Sequence, residues 1–363
     1  MRLLVLSDAD SVHTIRWVRA LSKKLDFIVL FSFFKSSSDV YNLPNVRLVY
    51  LWDNYNQRVS VIDKLKYINT FLIIRRLIRE YRPNLIHAHY ASSYGLVNAL
   101  IRFHPKILSI WGSDVYSFPR KNFFFQKILK FNLRNADIVL STSKSMSIEA
   151  AKYTEKKLII TPFGVDLNFF KKSQTLRMDN SPFVVGTVKG LSKIYGIDIA
   201  IKAFSKLVKN YPSKRIEFHI AGIGDEFESL KKIAQEEGVM DRVFFMGFFE
   251  NSRVPAILNT FDVFIALSRS ESFGVSVVEA LACQLPVVVS NADGFKEIVD
   301  DGKTGLIVEK ENPQMAYLAL ETLYNNSELR KQLGENGRQE VELYYNWEEN
   351  VNRMYEIYAR ATQ

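Results

Sequence analysis

The chain has 363 residues, of which 47% are hydrophobic and 24% are charged, so it is globular and long enough for two domains. Its single cysteine, Cys283, excludes internal disulfides and cysteine-rich metal sites and indicates a reducing compartment. No apolar run reaches the roughly 18–20 residues that are needed to span a bilayer. We therefore expect a cytoplasmic protein.

The net charge of +9 is unevenly distributed along the chain. Residues 1–180 carry 28 Lys/Arg and 13 Asp/Glu, whereas residues 181–363 carry 20 and 26. A basic half beside an acidic half indicates that one domain faces an anionic surface or substrate. We do not expect nucleic acid to be that partner, because no nucleic-acid-binding motif accompanies the charge.

Short apolar runs alternate with helix-length amphipathic segments, which predicts parallel sheets covered by helices on both faces. Two such series predict an α/β protein with two Rossmann-like domains, at residues 1–170 and 182–345, joined by a polar linker at 171–181. Residues 346–363 read as a helix that either packs as an ordinary terminal helix or crosses back to the first domain. The predicted strands are Leu3–Leu6, Phe27–Phe31, Val46–Leu51, Leu85–His87, Ile107–Ser109, Ile138–Ser141, Leu158–Ile160, Phe183–Val188, Ile216–Ala221, Val243–Met246, Val263–Ala266, Val287–Ser290 and Gly305–Val308.

Two glutamates eight positions apart, Glu271 and Glu279, follow one of these strands. Apolar residues at helical spacing after Gly274 place Glu271 in a strand-to-helix loop and Glu279 one to two turns into the helix. Gly274 to Glu279 then spans roughly 7–8 Å, near the distance from the diphosphate of a nucleotide to its ribose. Because a helix N-terminus binds anions and a carboxylate accepts from vicinal hydroxyls, the spacing suits a nucleotide-sugar.

The string from Ser268 to Ser290 closely resembles the E-x7-E signature of retaining family 4 glycosyltransferases. Segments 161–170, 221–226, 241–247, 292–299 and 301–308 resemble other motifs of the same family in the same order, so the resemblance covers nearly the whole chain. It implies the GT-B fold, which has two facing Rossmann-like domains with the active site in the cleft between them. It also implies transfer of a sugar from a nucleotide donor to an acceptor hydroxyl, with retention of the anomeric configuration.

The resemblance implies a donor site in the second domain. Glu271 would hold hydroxyls of the transferred sugar and Glu279 the ribose. Lys189 and Lys193 would help to stabilise the negative charge that builds on the leaving diphosphate. Members of the family usually carry a lysine where this chain has Tyr195 and an arginine where it has Gly190. Further donor-binding candidates are Gly222, Gly224, Ser272, Phe273, Gly274 and Val275.

We expect a metal-independent reaction without a cofactor. Asp8 and Asp10 resemble the metal-binding Asp-x-Asp of a different transferase fold, but they directly follow the first strand, which is the wrong position for that role. The sequence holds no other cluster of metal-ligand residues.

Candidates for the acceptor side follow strands of the first domain, because ligands bind beyond the carboxyl ends of parallel strands. They are His13, Arg16, His89 and Trp111. We expect His87, by contrast, to point to the opposite face and to pack in the core. Many relatives have histidine where Trp111 stands, so Asp114 is the better candidate for orienting an acceptor or donor hydroxyl.

The segment 117–135 is basic and aromatic and contains no acids, which is typical of helices that lie on anionic lipid. A second basic stretch falls at residues 75–82. Either segment is alternatively an ordinary amphipathic helix that packs on the sheet. We expect a peripheral position on the inner face of the cell membrane, contacted through Arg120, Lys121, Lys127, Lys130 and Arg134.

The leading interpretation is a hexosyltransferase that uses a UDP-sugar in preference to a GDP-sugar. A lipid-linked or other glycan acceptor in cell-envelope polysaccharide biosynthesis would suit the expected position at the membrane. Two alternatives remain open, namely a nucleotide-sugar 2-epimerase of similar fold and a non-catalytic sugar-nucleotide-binding subunit.

Overall fold

The computed structural model describes residues 1–53, 61–173 and 181–363. The chain divides into two compact units, of which the first comprises residues 1–162 and 349–363 and the second comprises residues 163–348. The predicted linker at 171–181 lies further along the chain than the boundary between residues 162 and 163. Its residues 174–180 lie outside the described residues.

The first unit is built on one parallel sheet covered by helices. Its strands, among the described residues, are β1 (Arg2–Leu6), β2 (Phe27–Phe34), β3 (Val46–Trp52), β4 (Leu85–His89), β5 (Lys106–Ile110), β6 (Ile138–Ser141) and β7 (Ile159–Ile160), and their order in the sheet is β3-β2-β1-β4-β5-β6-β7. Its helices up to residue 162 are α1 (Val12–Leu21), α2 (Val61–Tyr81), α3 (Ser93–Leu100), α4 (Ser113–Tyr116), α5 (Phe123–Asn135) and α6 (Lys144–Ala150).

The second unit repeats this plan. Within the described part of the chain its strands are β8 (Phe183–Val188), β9 (Ile216–Ala221), β10 (Val243–Gly247), β11 (Val263–Ala266), β12 (Val287–Ser290) and β13 (Leu306–Val308), in the parallel order β10-β9-β8-β11-β12-β13. Its helices are α7 (Ile197–Asn210), α8 (Phe227–Glu236), α9 (Val254–Leu258), α10 (Val275–Ala282), α11 (Asp293–Ile298), α12 (Pro313–Asn325) and α13 (Ser327–Tyr344).

The last helix, α14 (Trp347–Ala361), returns the chain to the first unit. Its buried residues include Met354 and Tyr358, which follow the helical spacing seen in the sequence. The hydroxyl of Tyr358 lies 2.6 Å from Nδ1 of His87 on β4, and His87 Nε2 lies 2.8 Å from the Ser109 hydroxyl on β5. These buried hydrogen bonds join the helix to the centre of the first sheet.

The central strands are buried on both faces, which explains their continuous apolar sequences. On β1, residues Leu3 to Leu6 are each at most 2% exposed, and β11 is buried along its whole length. Close packing also fixes individual positions on the sheet, since a Cβ on Gly186 of β8 would lie 2.2 Å from the ring of Phe261. All 13 predicted strands are present, so the predicted α/β class is confirmed.

Each sheet reverses its strand order once. The reversal lies between β1 and β4 in the first unit and between β8 and β11 in the second. In open parallel sheets, ligands bind beyond the carboxyl ends of the strands at this point. The fold therefore predicts one binding position in each unit, and the candidate residues lie at both.

Candidate functional site

The donor-site candidates of the second unit gather at its switch point. Lys189 directly follows β8, and Glu271 lies in the loop between β11 and α10, as the sequence predicts. The Lys189 ammonium lies 2.7 Å from the Glu271 carboxylate, and the two side chains are only 13% and 12% exposed. The Ser268 hydroxyl donates to the same carboxylate oxygen at 3.4 Å. The structure thus brings together a cation and a carboxylate that stand 82 positions apart in the sequence.

Tyr195 stands at the position where the resemblance implies a lysine, and its ring lies beside Lys189. The Lys189 ammonium lies 4.6 Å from the centroid of the Tyr195 ring, within the range of a cation–π contact. A cation from a neighbouring loop position therefore stands beside the place of the missing lysine. Sequence alignment by position cannot show this, because the two residues meet only through the fold.

Two glycines after β9 pack closely against the loop that carries Lys189. Gly222 has a φ of +151°, and a Cβ at this residue would lie 1.8 Å from the Lys189 carbonyl oxygen. A Cβ on Gly224 would lie 2.3 Å from the carbonyl oxygen of Leu191. Both positions therefore require glycine for close backbone approach. Their predicted contact with the donor stays a prediction, but their role in placing Lys189 follows from the geometry.

The N-terminus of α10 is the anion-binding candidate. Gly274 caps this helix with a φ of +101°, and a Cβ there would lie 2.8 Å from the Phe295 ring. Val275 and Ser276 are the first helical residues. The Ser276 side chain is 9% exposed, and its hydroxyl is without a hydrogen-bond partner within the described chain. A buried hydroxyl without a partner at a helix N-terminus suits an anionic ligand, and the sequence analysis did not select Ser276.

Ring contacts of Phe273 and one main-chain hydrogen bond hold the loop before α10. Phe273 is 2% exposed, and its ring contacts Phe163 at 6.0 Å and Tyr345 at 5.6 Å between centroids. The Gly294 amide donates to the Glu271 carbonyl at 3.0 Å. Phe273 therefore offers a ligand its backbone rather than its ring. The roles predicted for Phe273, Val275 and the part-buried Ser272 as donor contacts stay predictions.

Glu279 is the fifth residue of α10, so its predicted place one to two turns into the helix is confirmed. Its side chain is largely buried, at 8% exposure. Burial, together with the charge of Glu279, raises the pKa of the neighbouring Cys283 thiol to about 12. At neutral pH Cys283 is consequently a protonated packing residue.

Lys193 occupies a different environment from Lys189. It begins the 3-10 turn Lys193–Tyr195 and is exposed, while its carbonyl accepts from the Arg269 guanidinium. Arg269 also forms two hydrogen bonds with Asp198, at 2.9 and 2.7 Å. These bonds are the main reason that the pKa of Arg269 is raised. The backbone at Lys193 is thus fixed, and its predicted approach to the diphosphate stays a prediction.

The first unit holds a pocket of about 450 Å³ at its own switch point. Polar residues of the pocket are Ser7, Asp8 and Ser11, which follow β1, and His89, which ends β4. The lining also includes Ser93 and five aromatic residues, namely Phe33, Phe34, Tyr90, Tyr94 and Trp111. Two of the four predicted acceptor-side residues, His89 and Trp111, therefore face one cavity.

The other two predicted residues, His13 and Arg16, lie on α1. The His13 ring contacts the edge of Trp111, with centroids 5.7 Å apart. Burial, and secondarily the charge of Arg16, lowers the pKa of His13 to about 4. His13 is consequently neutral at pH 7. Both residues lie outside the lining of the pocket, and their contact with a substrate stays a prediction.

The prediction that His87 and His89 point to opposite faces is wrong. Residues two apart on a strand share a face, and the two rings are in contact, with centroids 4.5 Å apart. The prediction that His87 packs in the core is confirmed, since it is fully buried. Burial lowers the pKa of His87 to about 3 and holds the pKa of His89 well below its usual value, so both rings are neutral at pH 7.

Asp114 organises the backbone around the pocket. It is fully buried, and its carboxylate accepts from the amides of Ala91 and Gly112, each at 2.7 Å, and of Trp111 at 3.2 Å. Burial raises the pKa of Asp114, and these backbone donors oppose that shift. The Asp114 carboxylate thus holds two loops in place. Its predicted role in orienting a substrate hydroxyl stays a prediction.

The basic helix α5 divides into a packed face and an exposed face. Leu129 and Leu133 are fully buried, whereas Phe123 and Phe124 in its first turn are 62% and 74% exposed. The predicted cations Lys121, Lys127, Lys130 and Arg134 are exposed. Arg120 is exposed as well, but its guanidinium pairs with Glu149 at 2.9 Å.

The described residues contain no group of three or more His, Cys, Asp or Glu side chains arranged to hold a metal ion. Among the helices that the structure describes, none combines the length and the hydropathy needed to cross a membrane.

Comparisons with known proteins agree across both units. Residues 168–340 match the family model for glycosyl transferases group 1, and residues 2–143 match the model for glycosyl transferase 4-like proteins. The chain is 29% identical over 301 residues to an uncharacterised glycosyltransferase of Methanocaldococcus jannaschii, an alignment that covers 81% of this chain and 80% of the relative.

Two solved structures share the fold over nearly their full lengths. A sucrose-phosphate synthase from Thermosynechococcus elongatus superposes with a TM-score of 0.83 at 19% identity, covering 99% of this chain and 98% of the other. The HepE protein of Anabaena, solved in complex with UDP, superposes with a TM-score of 0.82 at 18% identity, covering 99% of this chain and 100% of the other.

Proposed function

Because the chain belongs to the group 1 glycosyltransferases and has the GT-B fold, we propose that it transfers a sugar from a UDP-sugar to an acceptor hydroxyl with retention of the anomeric configuration. The observation that carries this proposal is the contact between Lys189 and Glu271 at the switch point of the second unit. It joins the two chemical groups that the reaction requires, a cation for the diphosphate and a carboxylate for sugar hydroxyls.

The preference for uridine rests on structural relatives. HepE of Anabaena, which has the same fold, has been solved with UDP and with UDP-glucose. In this chain, the diphosphate would lie against the N-terminus of α10, where Ser276 and the first amides of the helix donate. Glu279 would accept from the ribose hydroxyls, and Glu271 from hydroxyls of the transferred sugar.

Substitution on one face of the sugar accounts for retention. The bond from the anomeric carbon to the diphosphate oxygen breaks, and the acceptor oxygen forms its bond on the same face. The leaving phosphate takes the proton of the acceptor hydroxyl. Lys189 stabilises the charge that develops on that phosphate, and we propose that the reaction needs neither a metal ion nor a cofactor.

We place the acceptor at the pocket of the first unit and the protein at an anionic membrane surface. The exposed rings of Phe123 and Phe124 suit insertion among lipid headgroups, and the exposed cations of α5 suit attraction to anionic lipid. This location suits a lipid-linked glycan acceptor on the inner face of the cell membrane.

A panel of nucleotides tests the proposal. UDP and at least one UDP-sugar should raise the melting temperature, and GDP and GDP-mannose should not, because a ligand that binds the native state stabilises it. With an acceptor present, the product should keep the anomeric configuration of the donor, and EDTA should leave the rate unchanged. Stabilisation by the guanosine set alone would contradict the donor assignment.

The same assays separate the alternatives. An epimerase would convert the sugar of the donor without an acceptor, and a non-catalytic subunit would bind UDP-sugar without forming product. Either outcome would contradict the proposed transfer.

A further inference from the structure

We infer that the pocket of the first unit selects its occupant by charge: it accepts a hydroxyl-rich ring that is neutral or carries an amine, and it disfavours rings that carry phosphate or carboxylate. Only the description of this occupant as the acceptor rests on the proposed function. The selection itself follows from the walls of the pocket, its polar groups and its net charge.

The aromatic walls are fixed before a ligand arrives. The ring of Trp111 lies against His89 at a tilt of 31°, with centroids 4.4 Å apart, and forms a T-shaped contact with Tyr90 at 6.4 Å. Across the pocket, Phe33 stacks on Tyr94 at 4.6 Å, and the Tyr94 hydroxyl accepts from the Phe33 amide at 3.1 Å. Phe33 and Tyr94 are only 7% and 6% exposed, so it is the part-exposed rings of Trp111 and Tyr90 that can offer rigid flat surfaces to the C–H faces of a pyranose ring. The volume of about 450 Å³ lies in the range of small-molecule sites.

The polar groups of the pocket are suited to hydroxyls. The lining includes Ser11, Ser93 and Asp8. Ser7 also lines the pocket, but it is buried and its hydroxyl already contacts Thr14 at 2.7 Å and His89 at 3.0 Å. Oδ1 of Asp8 accepts from the Asp10 amide at 3.1 Å, which leaves Oδ2 to accept from a ligand. A carboxylate accepts from ring hydroxyls and pairs more strongly with an ammonium group.

The charge of the lining is what separates the classes of ligand. Lys and Arg are absent from the residues that line the pocket in the described chain, and Arg16 is among those that stay outside it. His89 is neutral at pH 7 because burial holds its pKa well below the usual value. Among the described residues that line the pocket, Asp8 is the one acidic side chain. A phosphate here would lose water without gaining a cation and would face a like charge.

The pocket differs in charge from the half of the chain that contains it. Residues 1–180 carry an excess of 15 positive charges, and the pocket lies within that range. The positive charges of this half therefore lie outside the lining of the pocket. A lipid-linked acceptor would place its neutral or amine-bearing sugar in the pocket and its phosphate elsewhere.

Saturation-transfer NMR on the full-length protein, with and without UDP, tests the inference. The probes are methyl glycosides of glucose, galactose and mannose, each compared with its 2-amino and 6-phosphate derivatives. In at least one series, the neutral and amino probes should bind with dissociation constants of about 1–10 mM, and the phosphate should bind at least about tenfold more weakly.

Variants assign the effect to the lining. Asp8→Asn should abolish the advantage of the amino probe and reduce the penalty of the phosphate, whereas Asp10→Asn, at an exposed neighbour outside the lining, should preserve both. Equal binding of phosphate and neutral probes, an unchanged ranking in Asp8→Asn, or no binding in any series would overturn the inference. If the ranking holds while no UDP-sugar binds, the proposed function fails and the pocket assignment stands.

Discussion

The ammonium of Lys189 lies 2.7 Å from the carboxylate of Glu271, and both side chains are about seven-eighths buried. The pair occupies the carboxyl ends of β8 and β11, between which the strand order of the second sheet reverses. A donor diphosphate at α10 would offer Lys189 a second anionic partner. Binding of the donor would then release Glu271 for the hydroxyls of the sugar.

Lys189 and Lys193 should differ in their effect on catalysis. Lys189→Gln should lower kcat by at least about thirtyfold, because the charge that develops on the leaving phosphate loses a largely buried cation. Lys193→Gln should lower it less than about fivefold, since Lys193 is exposed and solvent screens its charge. Steady-state kinetics on both variants decides this, and equal losses would contradict the greater share given to Lys189.

Gly222 should be needed for donor binding rather than for stability alone. Gly222→Ala forces a Cβ against the Lys189 carbonyl oxygen and should raise the KM for the donor at least about tenfold by displacing that loop. Gly238→Ala is the matched control, because Gly238 also has a positive φ but has open space around it. The control should lose about 1–2 kcal/mol of unfolding free energy and keep its KM. Similar KM values in the two variants would refute the role of Gly222.

Much of this arrangement follows from local sequence, and the rest does not. The strands were predictable because buried parallel strands are continuous apolar runs, and Gly274 marked the start of α10. The contact of Tyr195 with Lys189 was not, because it depends on the folded path of a 3-10 turn. The hydrogen bonds of Asp114 were not predictable for a similar reason, since its amide partner at Ala91 comes from another loop. Spacing and the preceding strand singled out Glu271, whereas the selection of Lys189 needed the resemblance, and the pairing of the two residues needed the fold.

The buried histidines should make the first unit sensitive to acid. The pKa of His13 falls to about 4 and that of His87 to about 3 in the folded protein, against about 6.5 in the unfolded chain. Below pH 6.5 the unfolded chain binds protons that the folded chain does not, so the unfolding free energy decreases as pH falls. Each histidine contributes about 1.2 kcal/mol between pH 6 and 5.

Urea titrations at pH 7.5, 6 and 5 measure this loss. His87→Gln retains hydrogen-bonding groups towards Ser109 and Tyr358. Its unfolding free energy should depend less on pH, and the decrease should equal the contribution of one histidine. Identical unfolding free energies at pH 7.5 and 5 in the unsubstituted protein would show that these rings are not buried in their neutral form.

The exposed rings of α5 should govern binding to lipid. Phe123→Ser with Phe124→Ser should reduce sedimentation with anionic vesicles at least about fivefold while leaving stability unchanged, because both rings are exposed. The control is Phe244→Ser, which removes a ring of the second unit that is 43% exposed. Raising the salt concentration should weaken binding further. Equal sedimentation of the double variant and the unsubstituted protein would exclude this surface.

Glu271→Gln offers the most direct test of the donor site. Turnover should fall at least about a hundredfold, whereas calorimetry should give a dissociation constant for UDP within about threefold of the unsubstituted protein, because Glu271 is assigned to the transferred sugar. Glu236→Gln, at an exposed position on α8 of the same unit, should leave both quantities unchanged. Near-normal turnover in Glu271→Gln would contradict the assignment of this carboxylate to the reacting sugar.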